Sequence, residues 1–215
     1  MDEEILLWVN SHYTDFLDEF MPVMTHRFAW IPMYLALAYA IMKTLGWKKG
    51  LMFIVAVALT TVLADQIGAS VIRPWVARMR PSNPENPISE MIHIVGDYRG
   101  GAYGMPSCHA ANTVGLLTIF LLRFRSKLFG GILVIWVAMQ MYSRMYLGVH
   151  YPTDLLAGGV LGVSSASFSY FIYMYASRKF LNAFPNRQKI LCEAVPTATF
   201  FATITGMLIF AYFMS

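Results

Sequence analysis

Long stretches without a single charged side chain dominate this sequence. Residues 155–177 and 194–215 contain no Asp, Glu, Lys, Arg or His at all. A bilayer core about 30 Å thick is crossed by about 20 helical residues, so each of these stretches is long enough to span it. Only 13% of all residues are charged, against about 25% in an ordinary soluble domain. This composition excludes a soluble domain and a disordered chain, and predicts an integral membrane protein.

Six apolar segments are candidate transmembrane helices: 28–44, 51–72, 107–122, 128–142, 153–177 and 194–214. The third and fourth are short, so we expect their ends to extend into flanking loops and to be buried in protein. The first 25 residues place apolar side chains at helical spacing among six carboxylates, which predicts one amphipathic helix lying at the membrane interface. The expected fold class is all-α: a single domain, 1–215, forming a bundle of six transmembrane helices preceded by this helix.

The distribution of Lys and Arg predicts the orientation of the bundle. The first, third and fifth loops between these segments carry ten of them, and the opposite side carries six. The odd loops are therefore expected to be cytoplasmic, with both termini and the loops 73–106 and 144–152 on the periplasmic or outer face of a multi-pass protein, most simply in a bacterial inner membrane. Cys108 and Cys192 then lie on opposite faces and cannot pair. A formal charge of +4 is too small to indicate nucleic acid, and nothing in the sequence indicates an oligomeric state.

Three short segments on the outward side collect the cations, hydroxyls and imidazoles of the chain. They run from 73 to 81, from 106 to 109 and from 143 to 154. Arg73, Arg80 and Arg144 offer permanently charged planar donors that match a phosphate group. Ser107 stands where an apolar helix is predicted to begin, so its hydroxyl and the free backbone N–H groups there can face an anion. A phosphate monoester is the expected ligand.

Two histidines fit a two-step phosphoryl transfer. His150 and Asp154 are four residues apart, so the carboxylate can bind one ring nitrogen and orient the other as a nucleophile. His109 is then available to protonate the leaving oxygen. Arginine supplies the neutralising charge in this scheme, and carboxylates near the site are sparse, so no metal and no cofactor is expected.

These segments resemble the three motifs of the type 2 phosphatidic acid phosphatase (PAP2) family, Lys-x6-Arg-Pro, Pro-Ser-Gly-His and Ser-Arg-x5-His-x3-Asp. The resemblance covers about 51–176. It implies a membrane lipid phosphatase with His150 as nucleophile, His109 as acid and base, and Asp154 as orienter. The phosphate ligands that it implies are Arg73, Arg80, Ser107 and Arg144, with Cys108 and Ser143 as less secure members of the site.

Two residues depart from the family pattern. Arg73 stands where lysine is usual, which keeps the charge, and activity is expected to survive. Cys108 replaces the glycine before the histidine, so its side chain either narrows the pocket or turns away from it. Candidate substrates are undecaprenyl pyrophosphate, phosphatidylglycerol phosphate, phosphatidic acid and lipid A, held in the plane of the bilayer.

Alternative functions and structural roles accompany this prediction. A carrier or transporter could keep the same anion pocket without cleaving its ligand. Vanadate haloperoxidases share the constellation but are soluble, and a sugar phosphatase of the glucose-6-phosphatase type is expected to be longer. Arg78 and Arg99 are expected to be interfacial anchors. Asp65 should face the bundle interior, and the four-residue spacing of Gly158 and Gly162 predicts close helix packing.

Overall fold

The computed structural model describes residues 1–215. The chain forms nine α-helices and no β-sheet. The helices are α1 (Asp2–Asn10), α2 (Asp15–Thr25), α3 (Ile31–Leu45), α4 (Trp47–Asp65), α5 (Arg73–Val76), α6 (Cys108–Arg123), α7 (Lys127–Tyr146), α8 (Pro152–Leu181) and α9 (Ala194–Met214). Short 3-10 turns at Arg27–Trp30 and Ser89–Met91 precede α3 and follow α5. The all-α prediction is confirmed.

Five of these helical segments are long and apolar enough to cross a membrane: Arg27–Leu45, Trp47–Val76, Lys127–Tyr146, Pro152–Leu181 and Ala194–Met214. The remaining predicted span, 107–122, corresponds to α6, an apolar helix of 16 residues and so about 24 Å long. Large apolar side chains on the outer faces of α8 and α9, including Phe171 and Phe213, are exposed. Such a surface is suited to lipid and not to water.

The helix that starts at Trp47 is longer than the predicted 51–72. It continues from α4 through a π-helical stretch, Gln66–Ile72, into α5 and ends at Val76. Ala77 then adopts a left-handed conformation with φ 49°, which stops the helix. Because the helix extends this far, Arg73 lies within it and not in the following loop. π-helical turns of this kind are often found beside functional sites.

Glycines allow α6 and α8 to approach each other closely. A Cβ on Gly158 would lie 2.3 Å from the carbonyl oxygen of Ser107, and a Cβ on Gly162 would lie 2.4 Å from that of Ala111. Any side chain at either position would push the helices apart. The packing role predicted for this pair is confirmed. The contact also ties the start of α8 to the start of α6, which carry Asp154 and Ser107.

The N-terminal segment differs from the prediction, because its first 25 residues form two helices and not one. Residues 11–14 interrupt the helix, and the Thr14 hydroxyl caps α2 by accepting from Leu17 N at 3.2 Å. Thr14 favours a cap because its side chain satisfies a backbone donor that a continuous helix would have bonded internally. Both helices bury one face, through Leu6 and Val9 in α1 and Phe20 and Met24 in α2.

Candidate active site

The loop between α5 and α6 folds back on itself beside the start of α8. Arg80 N donates to Ala102 O at 3.1 Å, and Gly104 N donates to Arg78 O at 2.9 Å. These two bonds pair a short extended segment at 78–80 with another at 102–104. Side chains alternate along an extended segment, so Arg78 and Arg80 point to the same side, toward the end of α8.

His150 lies just before α8 and is almost completely buried, with 1% of its surface exposed. Its Nδ1 is 3.4 Å from Asp154 Oδ2, and its Nε2 is 3.0 Å from Arg80 Nη1. A guanidinium can only donate, so Nε2 accepts and the ring proton sits on Nδ1, facing the carboxylate. This tautomer leaves the lone pair on Nε2, as a nucleophilic imidazole requires, and in the resting structure that lone pair accepts from Arg80.

Burial lowers the pKa of His150 well below its ordinary value, and the positive charges of Arg80, Arg144 and Arg73 lower it further. The ring of His109 acts in the same direction. His150 is therefore a neutral base at physiological pH.

Asp154 is held by several donors at the first turn of α8. Its Oδ2 accepts from Tyr151 N at 3.0 Å and its Oδ1 accepts from Arg78 Nη1 at 3.0 Å. The bond to Tyr151 N belongs to a capping box that begins α8. The carboxylate has no exposed surface. Helix capping and the orientation of His150 thus depend on the same side chain.

Arg80 and Arg144 are buried cations with unused donors. Arg80 Nη1 donates to Val149 O, and Arg144 donates to Thr25 Oγ1 at 3.3 Å and Tyr98 Oη at 3.2 Å. The Nε atoms of both arginines are buried and make no hydrogen bond. Neither side chain forms an ion pair with a carboxylate. A buried charge without a partner is costly, and two unbonded N–H groups fit an oxyanion.

The charges of the site arginines act on one another and on Tyr98. Burial lowers the pKa of Arg80 to about 10, with Arg73 and Arg144 as the next causes. Tyr98 responds in the opposite sense: burial by itself would raise its pKa, but Arg144, through its charge and its hydrogen bond, lowers it overall, with Arg80 and Arg73 adding to the effect. The region is therefore strongly electropositive.

Of the remaining predicted residues, Ser107 and Arg73 lie around the start of α6, whereas Ser143 lies in α7. Ser107 is fully buried, and its Oγ caps α6 by accepting from Ala110 N at 3.5 Å. Arg73 Nε donates to Pro106 O at 3.1 Å, which holds the second motif against the end of the α4–α5 helix. Ser143 is not brought into the site by its side chain, because its hydroxyl donates to Gln140 O at 2.7 Å within α7.

Cys108, which stands where the family usually has glycine, has room for its side chain because Gly68 lies opposite. The Cys108 Sγ lies against Gly68 in the π-helical stretch, and a Cβ on Gly68 would be only 3.2 Å from that sulfur. The Cys108 side chain is half-buried and faces the cavity described next. Both cysteines are free thiols.

A cavity of about 1410 Å³ opens between α2, α3, α4, α6 and α7. His109, Arg144 and Tyr98 line it together with the carboxylates of Asp15, Asp18 and Glu19, and about half of the lining is apolar, including Leu37, Ile54 and Val57. An apolar wall beside the Arg144 cation suits a lipid with an anionic head. Asp65 also faces this cavity and accepts from Asn112 Nδ2 at 3.0 Å. Its predicted orientation toward the interior is confirmed, and it contacts no arginine.

The prediction that Arg78 is an interfacial anchor is wrong. Its guanidinium bonds Asp154 through Nη1 and Asp2 Oδ2 through Nη2 at 2.6 Å, and it lies 3.9 Å over the Tyr151 ring. Asp2 in turn accepts from Thr153 N at 3.0 Å. The position of Arg78 two residues before Arg80 was the available signal, since an extended segment puts both on one side. Its partner Asp2 lies too far away in sequence to be foreseen.

Gly104 is a second residue that sequence reasoning missed. A Cβ at this position would lie 2.8 Å from Asp154 Oδ2 and 3.4 Å from His150 Nδ1. The backbone of Gly104 therefore forms one wall of the histidine–aspartate pair. No motif indicates this contact, because it depends on how the long loop folds back.

Comparison with known proteins identifies the family. The model of the PAP2 superfamily matches residues 49–178. A lipid A 4'-phosphatase of Bacteroides thetaiotaomicron is 44% identical over 172 residues, covering 80% of this chain and 76% of that protein. A lipid A 4'-phosphatase of Porphyromonas gingivalis is 30% identical, covering 93% of this chain and 81% of the relative. The crystal structure of Aquifex aeolicus LpxE has the same fold, with a TM-score of 0.58 and 19% identity over 79% of this chain and 94% of that one. The chain belongs to the PAP2 superfamily.

Proposed function

We propose that this chain is a membrane lipid phosphatase that removes a phosphate from a lipid of the lipid A type through a phosphohistidine intermediate. The observation that carries the proposal is the pair of buried arginines, Arg80 and Arg144, which have no carboxylate partner and unused Nε donors, with Arg80 Nη1 only 3.0 Å from Nε2 of the buried His150. Two relatives named lipid A 4'-phosphatase, the nearer at 44% identity, support lipid A above the other candidate substrates.

The first step forms a phosphorus–nitrogen bond. The lone pair of His150 Nε2 attacks phosphorus in line, and the bond from phosphorus to the lipid oxygen breaks. His109 donates its proton to that departing oxygen. Arg73, Arg80 and Arg144 bind the non-bridging oxygens, whose negative charge must be stabilised through the transition state. Arg80 Nη1 must move from Nε2 onto a phosphate oxygen when substrate binds.

The second step hydrolyses the intermediate. The unprotonated ring of His109 takes a proton from water, the water oxygen attacks phosphorus, and the phosphorus–nitrogen bond breaks. Inorganic phosphate leaves, and His150 Nε2 recovers its lone pair. Asp154 accepts from Nδ1 throughout and stabilises the positive charge that the ring carries while phosphorylated. Ser107 holds the first turn of α6 in place.

The membrane arrangement follows the same proposal. We propose that α6 also crosses the membrane, which brings the number of spans to six, and that burial of its ends in protein compensates for its short length. The excess of cations in the odd loops supports an active site on the periplasmic side of a bacterial inner membrane. The exposure of Ile5 and Trp8 on one side of α1 supports a position of that helix at the interface.

Phosphate release in detergent tests the function. Purified protein is given lipid A, phosphatidylglycerol phosphate, phosphatidic acid and undecaprenyl pyrophosphate, each with and without a chelator. We expect turnover to be highest on lipid A, to persist in chelator, and to fall by orders of magnitude in His150→Ala. A phosphate-labelled protein that is stable in base and labile in acid should accumulate in wild type only. Binding of lipid phosphate without turnover in either protein would establish a carrier instead.

A further inference from the structure

A second cavity lies at the opposite end of α6 from His109. It has a volume of about 440 Å³ and is lined by the end of α6, the inner part of α8, the α3–α4 turn and residues 182–188. With a rise of about 1.5 Å per residue, the 16 residues of α6 separate it from the active site by about 24 Å. We call it the inner-end pocket.

The side chain of Arg123 is the buried charge of this pocket. Only 4% of the residue surface is exposed. Its Nε donates to Tyr173 Oη at 3.3 Å, and its Nη1 donates to the carbonyl oxygen of Asn186. Both partners are neutral, and Nη2 has no hydrogen bond within the protein. Arg123 forms no ion pair, although burying a charge usually requires an opposite one.

The surroundings of Arg123 offer no carboxylate. None of the residues that line the pocket is acidic, and the exposed Lys49 adds a second cation. Glu193 is the one acidic residue in the loops 43–51, 123–128 and 178–193. Its Oε1 is bound by Ser126 Oγ and Phe129 N at the start of α7. The pocket therefore has an unneutralised positive charge and an unused donor.

The pocket also borders the surface expected to face lipid. Phe184 lines it and is 70% exposed, and the Arg178 guanidinium lies 5.0 Å from its ring. Exposed aromatic side chains beside cations are typical of a membrane–water interface. A ligand at this place can have its charge on Arg123 and its apolar part against Phe184.

We propose that the inner-end pocket binds the phosphate of an anionic phospholipid in the leaflet that faces it. Arg123 Nη2 and Lys49 Nζ bind the phosphate oxygens, and the acyl chains pass over Phe184 into the bilayer. The site is separate from catalysis, and its occupation stabilises the folded bundle by binding the native state alone.

Thermal unfolding of the full chain in detergent tests this binding. The midpoint is followed while short-chain phosphatidylglycerol, the matching diacylglycerol without phosphate, or inorganic phosphate is titrated. The variants are Arg123→Gln, Lys49→Gln and a matched control, Arg125→Gln, whose side chain is exposed two residues away. We expect phosphatidylglycerol to raise the midpoint of wild type and Arg125→Gln equally. The apparent affinity should fall about tenfold or more in Arg123→Gln, as expected for loss of a charged hydrogen bond, and by less in Lys49→Gln.

Several outcomes would overturn the proposal. An equal response to diacylglycerol would show that the apolar part alone binds. A response to inorganic phosphate as large as that to phosphatidylglycerol, and lost in Arg123→Gln, would exclude the lipid as the source. Unchanged affinity in Arg123→Gln, or equal losses in Arg123→Gln and Arg125→Gln, would remove the pocket from the binding. Phosphatase activity of each variant serves as the check on folding, and because Arg123 is remote from His150, we expect turnover to be kept even where lipid binding is lost.

Discussion

Arg78 provides the sharpest test of how the site is positioned. We expect Arg78→Gln to lower kcat while leaving KM nearly unchanged. The guanidinium bonds Asp154 Oδ1 at 3.0 Å and Asp2 Oδ2 at 2.6 Å, but no phosphate ligand is bonded to it. Its effect on catalysis must therefore pass through Asp154 to His150.

The size of the effect follows from what Asp154 loses. Its carboxylate has no exposed surface and accepts from Arg78, Tyr151 N and His150 Nδ1. A hydrogen bond to a charged group contributes about 1.5 to 3 kcal/mol, and Arg78 is 29% exposed, so we take the lower half of that range. At about 1.36 kcal/mol per factor of ten, kcat should fall roughly 10- to 40-fold. Two of the three bonds remain, so the loss should be smaller than for His150→Ala.

Steady-state release of inorganic phosphate from lipid A in detergent gives kcat and KM separately. Arg99→Gln is the matched control, because Arg99 lies in the same loop and its guanidinium bonds only Ser82 O at 2.8 Å. Arg78→Lys should recover part of the loss, since one ammonium cannot bridge two carboxylates as a guanidinium does. The reasoning is refuted if kcat is unchanged in Arg78→Gln, or if KM rises while kcat is kept.

Three further changes test other parts of the site. Asp2→Asn should weaken the support that Arg78 gives to Asp154 and lower kcat by a few-fold in the same phosphate assay. Burial by itself would raise the pKa of Asp2, but its bonds to Thr153 and Arg78 lower the pKa overall and keep the carboxylate charged. An unchanged kcat would show that α1 is not coupled to the site. Gly104→Ala should lower kcat by about 100-fold, because its Cβ would lie 2.8 Å from Asp154 Oδ2 and a displacement of catalytic groups by about 1 Å costs a factor of this order. Gly101→Ala is the control and should remain active, since no atom lies within 4 Å of the added Cβ. Below about pH 6.5, the free energy of unfolding of wild type should fall relative to that of His150→Asn by up to about 1.4 kcal/mol per pH unit. The reason is that the unfolded chain binds a proton at His150, whereas the folded chain, in which the pKa of His150 is lowered, does not. An equal pH dependence of unfolding in the two proteins between pH 7 and 5 would contradict this.

The helical membrane fold was readable from the sequence because bilayer thickness imposes a minimum length on every apolar helix. The helix boundaries were less accurate. The 128–142 segment extends to Tyr146 and the 51–72 segment to Val76. Arg144 continues its helix because protein buries its side chain, whereas the other helix continues through the π-helical stretch to an end at which Val71 and Trp75 are exposed. The N-terminal region was predicted as one helix, because apolar spacing alone does not show that Thr14 starts a new one.

The grouping of His150, Asp154 and the motif arginines was likewise predictable, since their spacing of four residues and their shared side of the membrane are properties of the linear chain. Arg78, Gly104 and Asp2 could not be assigned in this way. Their roles arise where the 77–106 loop folds back and where α1 reaches the start of α8, and these contacts with Asp154, Asp2 and Thr153 join residues about 50 and more positions apart. The amino-acid order determined which groups can do the chemistry, because bilayer length and residue chemistry act locally. Only the tertiary structure decided that the Gly104 backbone and the Asp2 carboxylate help to hold these groups in place, because the folding of the chain brings together segments that no local sequence pattern relates.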